Sequence, residues 1–280
     1  MPQKSYDGKP ILYLIPTPIG NLDDVTYRAV KILNEVEVVF SEDTRVTNQL
    51  FQHFDIHKKL YASHEHNESK NIETCLSYLK KGYSVGIVSD RGTPVISDPG
   101  FVLAKAAIEH GYHVVGLPGA TALIPALIMS GLNPKPFTFY GFLNQKSGKR
   151  KTELEKLKNI DHTIIFYEAP HRIQKTLEEM LQIFGNRQIC ISREISKKFE
   201  EVFRGTIQEI LPQINNLKGE IVLIVEGNQS TENYEDLSIS EHVNFYIQQG
   251  VEVKEAMKMV AKQRKVSKSQ IYNTYHELDK

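Results

Sequence analysis

Two short charged motifs combine residue types that can bind and activate a polar substrate. They are Glu42-Asp43-Thr44-Arg45 and Tyr167-Glu168-Ala169-Pro170-His171-Arg172. Each lies where a helix is expected to begin, although the positive end of the helix dipole disfavours a cation there. This placement indicates a functional reason: the acids hold the cations, which receive phosphate or ribose oxygens of RNA together with free backbone donors. Ion pairs on the surface or between domains are the alternative.

A long loop separates an apolar run from a helical pattern. The run is 84–89, and the loop 90–100 reads Asp-Arg-Gly-Thr-Pro-Val-Ile-Ser-Asp-Pro-Gly. Short β-branched runs are typical of strands, and Asp98 and Pro99 suit the cap and the first position of a helix. Open α/β sheets bind ligands beyond the carboxyl ends of their strands, and this loop exceeds the usual connection length of about two to six residues. The pattern predicts a ligand-binding loop; a rigid Gly and Pro turn is the alternative.

Several familiar catalytic motifs are missing from the sequence. It has neither a Gly-x-Gly-x-x-Gly fingerprint nor a P-loop, which removes the usual dinucleotide and nucleotide-phosphate interpretations. It also lacks a Gly-x-Ser-x-Gly elbow and a His-Glu-x-x-His helix, so hydrolase and zinc peptidase functions have little support. The close histidine pair in His64-Glu65-His66 has no third ligand in view, and no metal is expected.

A basic cluster lies in the polar segment 141–150, which is predicted to be a loop. The chain as a whole has 34 basic and 34 acidic residues, so any attraction to nucleic acid must come from local patches. Cations near a phosphate backbone gain affinity by releasing counterions. The predicted RNA contacts are Lys146, Lys149, Arg150 and Lys151.

A second basic cluster covers residues 254–268 near the end of the chain. Its lysines recur at helical spacing, so a solvated helix face is nearly as good an interpretation as a nucleic-acid contact. Ser267, as a cap before an apolar helix, also permits a helix-turn-helix-like pair. Segments 253–262 and 267–278 are predicted to be amphipathic helices, and the acidic segment 232–241 is predicted to be a linker.

Short apolar runs alternate with helical patterns in the first half of the chain, which predicts a parallel sheet covered on both faces. Pro134 and Pro136 cannot belong to a central strand or a helix interior and mark a boundary. We predict an N-terminal α/β domain over 1–132, a second α/β domain with a mixed sheet over 133–230, and an acidic linker with a helical tail over 231–280. The predicted strands are 11–15, 36–41, 60–63, 84–89, 113–116, 137–140, 163–167, 188–192, 201–204 and 220–225. Helices are predicted from residue 23 or 24, around 50–51, over 72–79 and 101–110, from 118 to about 129, and from 170 to about 184.

Composition favours a soluble cytoplasmic protein. Apolar residues make up 40% and charged residues 24% of the chain, as in ordinary globular proteins. Cys75 and Cys190 form no metal-like or redox-like spacing, which fits a reducing compartment. Residues 1–9 are polar without the apolar core of a signal peptide, and glycine and proline interrupt the apolar stretch 114–132.

Together these motifs resemble those of one known family, the tetrapyrrole methylase superfamily, and within it the enzymes that methylate small-subunit ribosomal RNA. The matching stretches are 16–24, 42–45, 89–100, 117–122 and 167–172, which span most of the first 230 residues. The resemblance implies two α/β domains with S-adenosylmethionine in the cleft between them. It also implies 2′-O-methylation of a cytidine ribose in the decoding region of 16S rRNA, and a homodimer.

The resemblance further assigns roles to residues of the matched motifs. Thr121 stands where the family usually has serine and keeps the hydroxyl, whereas Arg91 replaces a usual alanine and receives no role. The residues implied around the ribose, and so for catalysis, are Asp43, Arg45, Glu168, His171 and Arg172, with the identity of the general base open. The residues implied for binding S-adenosylmethionine are Pro18, Gly20, Asp90, Gly92, Thr93, Ile96, Thr121 and Ala122.

Two alternative functions remain open at the level of sequence. A tetrapyrrole C-methyltransferase of the precorrin type would share the fold and the cofactor, although the basic loop and the two charged motifs argue against it. A non-enzymatic RNA-binding module that uses the tail helices would bind RNA without dependence on S-adenosylmethionine. Transfer of a labelled methyl group to ribosomal RNA or to a precorrin distinguishes all three.

Overall fold

The chain forms two compact units, Met1–Gly227 and Asn228–Lys280, in its computed structural model. The predicted boundary at residue 132 lies inside the first unit, between its two sheets, and stays a prediction as a domain boundary. Residues 65 and 66 of the histidine pair and the first half of the predicted linker, 232–236, lie outside the described residues. The structure describes residues 3–4, 7–64, 67–229, 237–248, 250–264 and 266–277.

The first sheet of the Met1–Gly227 unit is parallel throughout, as predicted. Its order is β3-β2-β4-β1-β5, and Val85 at its centre pairs with both Leu12 and Val38. Because the order places β1 and β4 side by side, the loops after them begin at the same edge of the sheet. The strands are β1 (Ile11–Leu14), β2 (Val38–Ser41), β3 (Lys59–Ala62), β4 (Val85–Val88) and β5 (His113–Gly116).

Helices cover both faces of this sheet because successive side chains of a strand point to opposite faces. Tyr13 packs with Leu33 on one face, whereas Leu12 packs with Leu79 and Leu103 on the other. Burying each such side chain contributes roughly 1.5–3 kcal/mol. The helices are α1 (Tyr27–Glu35), α2 (Thr44–His53), α3 (Glu68–Lys80), α4 (Phe101–Glu109) and α5 (Leu123–Met129).

The second sheet is mixed, as predicted, with the order β6-β7-β10-β8-β9. Strands β6 and β7 are parallel, and the other neighbours are antiparallel. Ala126 and Leu127 of α5 pack against Ile165 and Ile224 on one face of this sheet. Helix α5, which follows the last strand of the first sheet, therefore joins the two sheets. The elements are β6 (Phe137–Phe142), α6 (Ser147–Leu157), β7 (Thr163–Glu168), α7 (Ile173–Phe184), β8 (Gln188–Arg193), β9 (Glu201–Thr206), α8 (Ile207–Ile210) and β10 (Ile221–Val225).

Helix α1 begins at Tyr27 rather than residue 23 or 24, because Leu22–Asp24 forms a separate 3-10 turn and Thr26 caps the helix. Helices α5 and α7 also begin later than predicted, because contacts at their starts hold the chain in loops. Helix α5 begins at Leu123 rather than residue 118, since a Cβ at Gly119 would lie only 2.6 Å from Pro16 and the chain there runs along the end of β1. Helix α7 begins at Ile173 rather than Pro170, since the Glu168 carboxylate accepts hydrogen bonds from residues 169 and 172.

The start of α4 also differs from the prediction. Gly100, not Asp98, occupies the N-cap position, and the helix has no side-chain cap. Gly100 has a φ of +121°, a conformation that glycine adopts easily. A Cβ atom at this position would lie 3.2 Å from methyl groups of Ile87 and Val95. Asp98 therefore does not cap the helix, and it lines a cavity instead.

The Asn228–Lys280 unit consists of helices around its own core of Val243, Tyr246, Val260 and Ile271 with their neighbours. Its first helix, which begins inside the predicted linker, was missed. Ser238 and Glu241 form reciprocal capping bonds of 2.7 and 3.2 Å, so the Ser-x-x-Glu spacing was the available signal. The helices are α9 (Ile239–Gln248), α10 (Val253–Gln263) and α11 (Lys268–Glu277). Among the described residues, no helix has the length and apolar content needed to cross a membrane.

The segment predicted to be a basic loop contains the first turn of α6, and Arg150 is buried there rather than exposed. Its Nε and Nη2 atoms donate to the Glu179 carboxylate of α7 at 2.7 and 3.0 Å. Burial alone would raise the pKa of Glu179, but hydrogen bonds from Arg150 and Ser147 lower it. The prediction of Arg150 as an RNA contact is therefore wrong, because its charge is used to join α6 to α7.

Replacing Arg150 with methionine should destabilise the protein by about 3–5 kcal/mol, because it leaves the buried Glu179 carboxylate unpaired. Urea unfolding measures the change. The exposed neighbour provides the control: Lys149→Met should change the free energy of unfolding by less than about 0.5 kcal/mol. Equal small effects from both substitutions would contradict the structural role of the Arg150–Glu179 pair.

Candidate active site

A cavity of about 350 Å³ lies where loops of the first sheet face the second sheet. Five of the predicted cofactor-binding residues line it, whereas Pro18, Gly20 and Asp90 do not. The cavity thus collects the loop after β4, the segment before α5 and the end of β7. Its lining consists of Ile19, Arg91, Gly92, Thr93, Ile96, Ser97, Asp98, Thr121, Ala122, Phe142, Tyr167, Glu168, Ala169, Pro170, Ile195, Gly219, Glu220, Ile221 and Val222.

Backbone and hydroxyl hydrogen bonds fasten the loop after β4 to its neighbours. The Thr17 amide donates to the Gly92 carbonyl at 2.9 Å, and the Gly92 amide donates back at 3.0 Å. The Thr93 hydroxyl donates to the Ala120 carbonyl at 3.0 Å. Three segments that follow β1, β4 and β5 are therefore joined into one wall of the cavity.

Two residues in this loop adopt left-handed backbone conformations. Val95 has a φ of +78° and Ser97 a φ of +64°. Such a φ is a genuine outlier for a β-branched residue, and residues in sparsely populated regions cost on the order of 1–3 kcal/mol each. The fastened loop holds Ser97 and Ile96 against the cavity in spite of this cost.

The three predicted cofactor residues outside the lining lie next to segments that form the cavity or pair with them. Asp90 accepts a hydrogen bond from the Asp43 amide at 2.9 Å and so joins the loops after β2 and β4. Gly20 lies against Lys197, since a Cβ there would be 2.4 Å from the lysine Cγ. Pro18 is buried next to the lining residue Ile19.

The cavity contains a carboxyl group that sequence reasoning considered only as a helix cap. Burial, followed by the charges of Glu42 and Asp90, raises the pKa of Asp98 to about 7. Burial and the charge of Asp90 also raise the pKa of Glu42. Asp98 can therefore exchange a proton near neutral pH within the cavity wall.

Tyr167 of β7 is a second lining residue to which the sequence analysis gave no role. Its ring packs against Phe139 and Phe142, with ring centres 5.0 and 5.6 Å apart. Burial raises the pKa of Tyr167 and a hydrogen bond with Thr121 opposes the rise. The signal was present, since Tyr167 is the first residue of a matched motif.

The charged side chains of Arg91 and Glu220 pair between the two walls of the cavity. Glu220 also accepts from Lys197 at 2.7 Å, and Lys197 donates to Glu194 at 2.8 Å. The sequence alone assigns Arg91 no role. In this chain it bridges the loop after β4 to the start of β10.

The predicted catalytic residues form two local ion pairs, Asp43 with Arg45 and Glu168 with Arg172, and of the five predicted residues only Glu168 lines the cavity. Asp43 accepts hydrogen bonds from Arg45, one of them at 2.6 Å, and these bonds lower the pKa of Asp43 to about 2. The Arg45 side chain is 88% exposed. His171 is exposed, and Arg172 is partly buried against Glu168.

Glu168 lines the cavity, yet hydrogen bonds occupy its carboxylate. One oxygen accepts from the Ala169 amide at 2.8 Å and from Arg172 at 2.9 and 2.5 Å. The other accepts from the Thr176 hydroxyl at 2.7 Å. This arrangement suits a residue that shapes the turn before α7 and orients Arg172.

The fold and the site together define a class of protein: a two-sheet α/β fold whose cavity is built from loops at strand ends. A family model described as Tetrapyrrole (Corrin/Porphyrin) Methylases matches residues 11–211. The chain therefore belongs to the tetrapyrrole methylase family, and it is a methyltransferase, as its motifs predict.

Similar sequences are named more narrowly. "Ribosomal RNA small subunit methyltransferase I" of Bacillus subtilis (strain 168) is 46% identical over 285 residues, which cover 98% of each sequence. The protein of that name from Streptococcus pyogenes serotype M1 is 46% identical over 284 residues, 99% of each sequence. The one from Vibrio cholerae serotype O1 is 44% identical over 226 residues, 79% of this chain and 78% of that one.

Solved structures agree on the fold. Diphthine synthase superposes with a TM-score of 0.62 at 14% identity and covers 78% of this chain and 90% of its own. A uroporphyrin-III C-methyltransferase from Thermus thermophilus, solved with S-adenosylhomocysteine, has a TM-score of 0.56 at 18% identity and covers 77% and 96%. At such identities the likeness establishes the fold alone, so the precorrin alternative is supported only at the level of the superfamily.

The ionisation of Asp98 predicts a pH-dependent stability. Its folded pKa of about 7 lies above the ordinary value of 3.8, so the folded protein holds the proton more tightly than the unfolded chain. Stability is therefore lost as the pH rises through that interval. Urea unfolding between about pH 5 and pH 8 should show the wild type losing stability relative to Asp98→Asn. Exposed Asp23→Asn serves as the control, and parallel profiles for wild type and Asp98→Asn would exclude the predicted ionisation.

Proposed function

We propose that this protein transfers a methyl group from S-adenosylmethionine to the RNA of the small ribosomal subunit. The observation that carries the proposal is 46% identity, over 98% of both sequences, to a protein named for that reaction. The specific reaction is 2′-O-methylation of the ribose of a cytidine in the decoding region of 16S rRNA. The basic surface and the exposed cations near the two charged motifs support RNA over a tetrapyrrole as the substrate.

The cavity suits a ligand of the size and chemistry of S-adenosylmethionine. Its volume of about 350 Å³ lies in the range of small-molecule sites, which are mainly apolar with a few placed polar groups. Ile96 and Ala122 offer apolar contacts, and Thr93 and Thr121 offer hydroxyls. S-adenosylmethionine, when bound, supplies an electrophilic methyl group on its sulfonium sulfur. We assign binding to the lining residues Gly92, Thr93, Ile96, Thr121 and Ala122, and support of the wall to Pro18, Gly20 and Asp90.

Arg45 and His171 are the predicted catalytic residues with exposed side chains, and we assign them contact with the RNA ribose and phosphates. The protein must hold the ribose oxygen in line with the methyl group and keep water out. Asp43 fixes Arg45 through its ion pair, and Glu168 fixes Arg172 in the same way. These two acids are positioning residues, since their oxygens are taken by hydrogen bonds.

The polar side of α6 supplies a basic surface for the same substrate. Lys146, Lys149 and Lys151 are exposed, whereas Arg150 turns inward. Lysines near an RNA backbone add affinity through counterion release, which is weakened by salt. The partner is the small ribosomal subunit or its free RNA.

Methyl transfer tests this function directly. Wild-type protein should transfer labelled methyl from S-adenosylmethionine to unmodified small subunits or their RNA, and a precorrin should receive none. Thr93→Arg places a long cation in the cavity and should lower S-adenosylmethionine affinity at least about tenfold, or 1.4 kcal/mol. Arg45→Ala and His171→Ala should lose transfer but retain cofactor affinity. Methyl incorporation into the precorrin, and none into ribosomal RNA, would overturn the proposal.

We also infer a homodimer, which the family resemblance implies. Exposed apolar side chains at one-turn or two-turn spacing support it: Ile124 and Ile128 of α5 are 42% and 73% exposed, and Phe101 and Ile108 of α4 are 62% and 60% exposed. Such stripes are typical of surfaces that another chain covers.

Breaking one stripe should separate the two copies. The double substitution Ile124→Asp and Ile128→Asp is expected to shift the protein from dimer to monomer, because it would bury charge in the apolar contact. Sedimentation velocity at micromolar concentration measures the change. Tyr27→Asp, at an aromatic side chain that is 98% exposed on α1, should leave the dimer intact. A wild-type protein that sediments as a monomer would refute the dimer.

We place the protein in the cytoplasm, where ribosomal RNA is available to a bacterial-type enzyme. Both cysteines, Cys75 and Cys190, are free and buried. Burial raises the pKa of Cys75 to about 12, so its thiol is unreactive. Recovery of the protein in a membrane or secreted fraction would contradict this placement.

A further inference from the structure

One edge of the first sheet carries a group of lysines and tyrosines that the proposed active site does not use. The group, here the Lys–Tyr cluster, consists of Lys59 and Tyr61 of β3 and Tyr78 and Lys81 at the end of α3. Strand β3 is one of the two edge strands of the sheet, and Lys59 and Tyr61 lie two residues apart on one face of it. The hydroxyls of Tyr61 and Tyr78 are 3.1 Å apart, which joins the strand to the helix.

Both lysines lie over the tyrosine rings. The Lys59 Nζ atom is 4.8 Å from the centre of the Tyr61 ring, and the Lys81 Nζ atom is 5.9 Å from the centre of the Tyr78 ring. Both distances fall within the roughly 6 Å range of cation–π attraction. Tyr61 in turn stacks on buried Phe40 at 5.2 Å, so the cluster is anchored to the core.

The cluster carries two positive charges, and among the described residues no acidic side chain forms an ion pair with either lysine. The hydrogen bond to Tyr61 raises the pKa of Lys59. Besides burial, the pKa of Tyr61 is affected by Lys59, Lys81 and Tyr78, and the pKa of Tyr78 is affected by Tyr61 and Lys59. Lys31 and Lys105 differ, because each forms an ion pair with a glutamate one turn further along its helix. The distance is 3.8 Å for Lys31 and 3.7 Å for Lys105.

The cluster also has more hydrogen-bond donors than acceptors. An ammonium group only donates, and each tyrosine hydroxyl donates once and accepts. The two ammonium groups and two hydroxyls cannot satisfy all their protons within the cluster. Such a donor-rich surface matches an anion, and partly exposed aromatic rings beside lysines are typical of sites that bind the backbone and bases of single-stranded nucleic acid.

We propose that the Lys–Tyr cluster is a second RNA-binding site, separate from the cavity, which contacts phosphodiester groups of a single-stranded segment of the ribosomal RNA. It rests on the proposed function, since it needs an RNA substrate larger than the methylated nucleotide. The cluster adds affinity for the small subunit and takes no part in methyl transfer. Tyr83, 47% exposed just after α3, donates its amide to the Tyr78 carbonyl at 3.1 Å and so follows the cluster closely in the chain.

Affinity and its salt dependence test the site. The double variant Lys59→Gln and Lys81→Gln should bind unmodified small ribosomal subunits about tenfold more weakly at about 0.1 M salt. Its slope of log affinity against log salt should be shallower by about 1.4, or about 0.7 for each of two phosphate contacts. S-adenosylmethionine affinity and the rate of transfer at saturating subunit should not change.

Two matched variants keep this test decisive. Lys31→Gln with Lys105→Gln removes the same charge from ion-paired sites and should leave both affinity and slope within error. Lys59→Arg with Lys81→Arg keeps the charge and should bind as the wild type does; a folded arginine variant that loses binding would overturn the proposal. Wild-type affinity and slope in the folded glutamine variant would also overturn it. Failure of the wild type to methylate or bind subunits would instead refute the proposed function.

Discussion

The active-site cavity depends on a backbone bridge between two loops that are far apart in the sequence. Thr17 and Gly92 exchange hydrogen bonds of 2.9 and 3.0 Å, and the Thr93 hydroxyl fixes the carbonyl of Ala120 at 3.0 Å. In a parallel sheet the strands end at the same edge, so neighbouring loops meet there without further folding. These few bonds convert three loops into a single wall, on which the positions of the lining residues depend.

That wall is rigid enough to keep unfavourable conformations. Val95 and Ser97 hold left-handed φ values that a free loop would abandon. The opposite wall, from the second sheet, is attached differently, because the Arg91–Glu220 pair is about half exposed and such pairs contribute at most about 1 kcal/mol. Apolar packing of Ala126 and Leu127 against Ile165 and Ile224 therefore holds the second sheet in place more strongly than this ion pair does.

The sequence predicted the architecture well because the signals for strands are local. Short β-branched runs bounded by glycine, proline or polar turns located every strand of both sheets among the described residues. Helix starts were less accurate at α5 and α7, where Gly119 against Pro16 and Glu168 against Arg172 keep residues out of the helix. Those contacts join segments whose proximity no local pattern reveals.

The chemistry of individual side chains was harder to predict than their position. Of the four cations predicted to contact RNA, only Arg150 turns inward, and what distinguishes it is Glu179, 29 residues further on. The role of Glu168 could not be predicted from its position either. Its place in the motif suggested acid–base chemistry, but Ala169, Arg172 and Thr176 donate hydrogen bonds to its carboxylate oxygens. Asp98 was assigned to a helix cap, yet burial near Glu42 and Asp90 gives it the proton affinity of a group that titrates at neutral pH. A motif locates the wall of a site, whereas the residues that meet across the fold decide which of its charges are free to react.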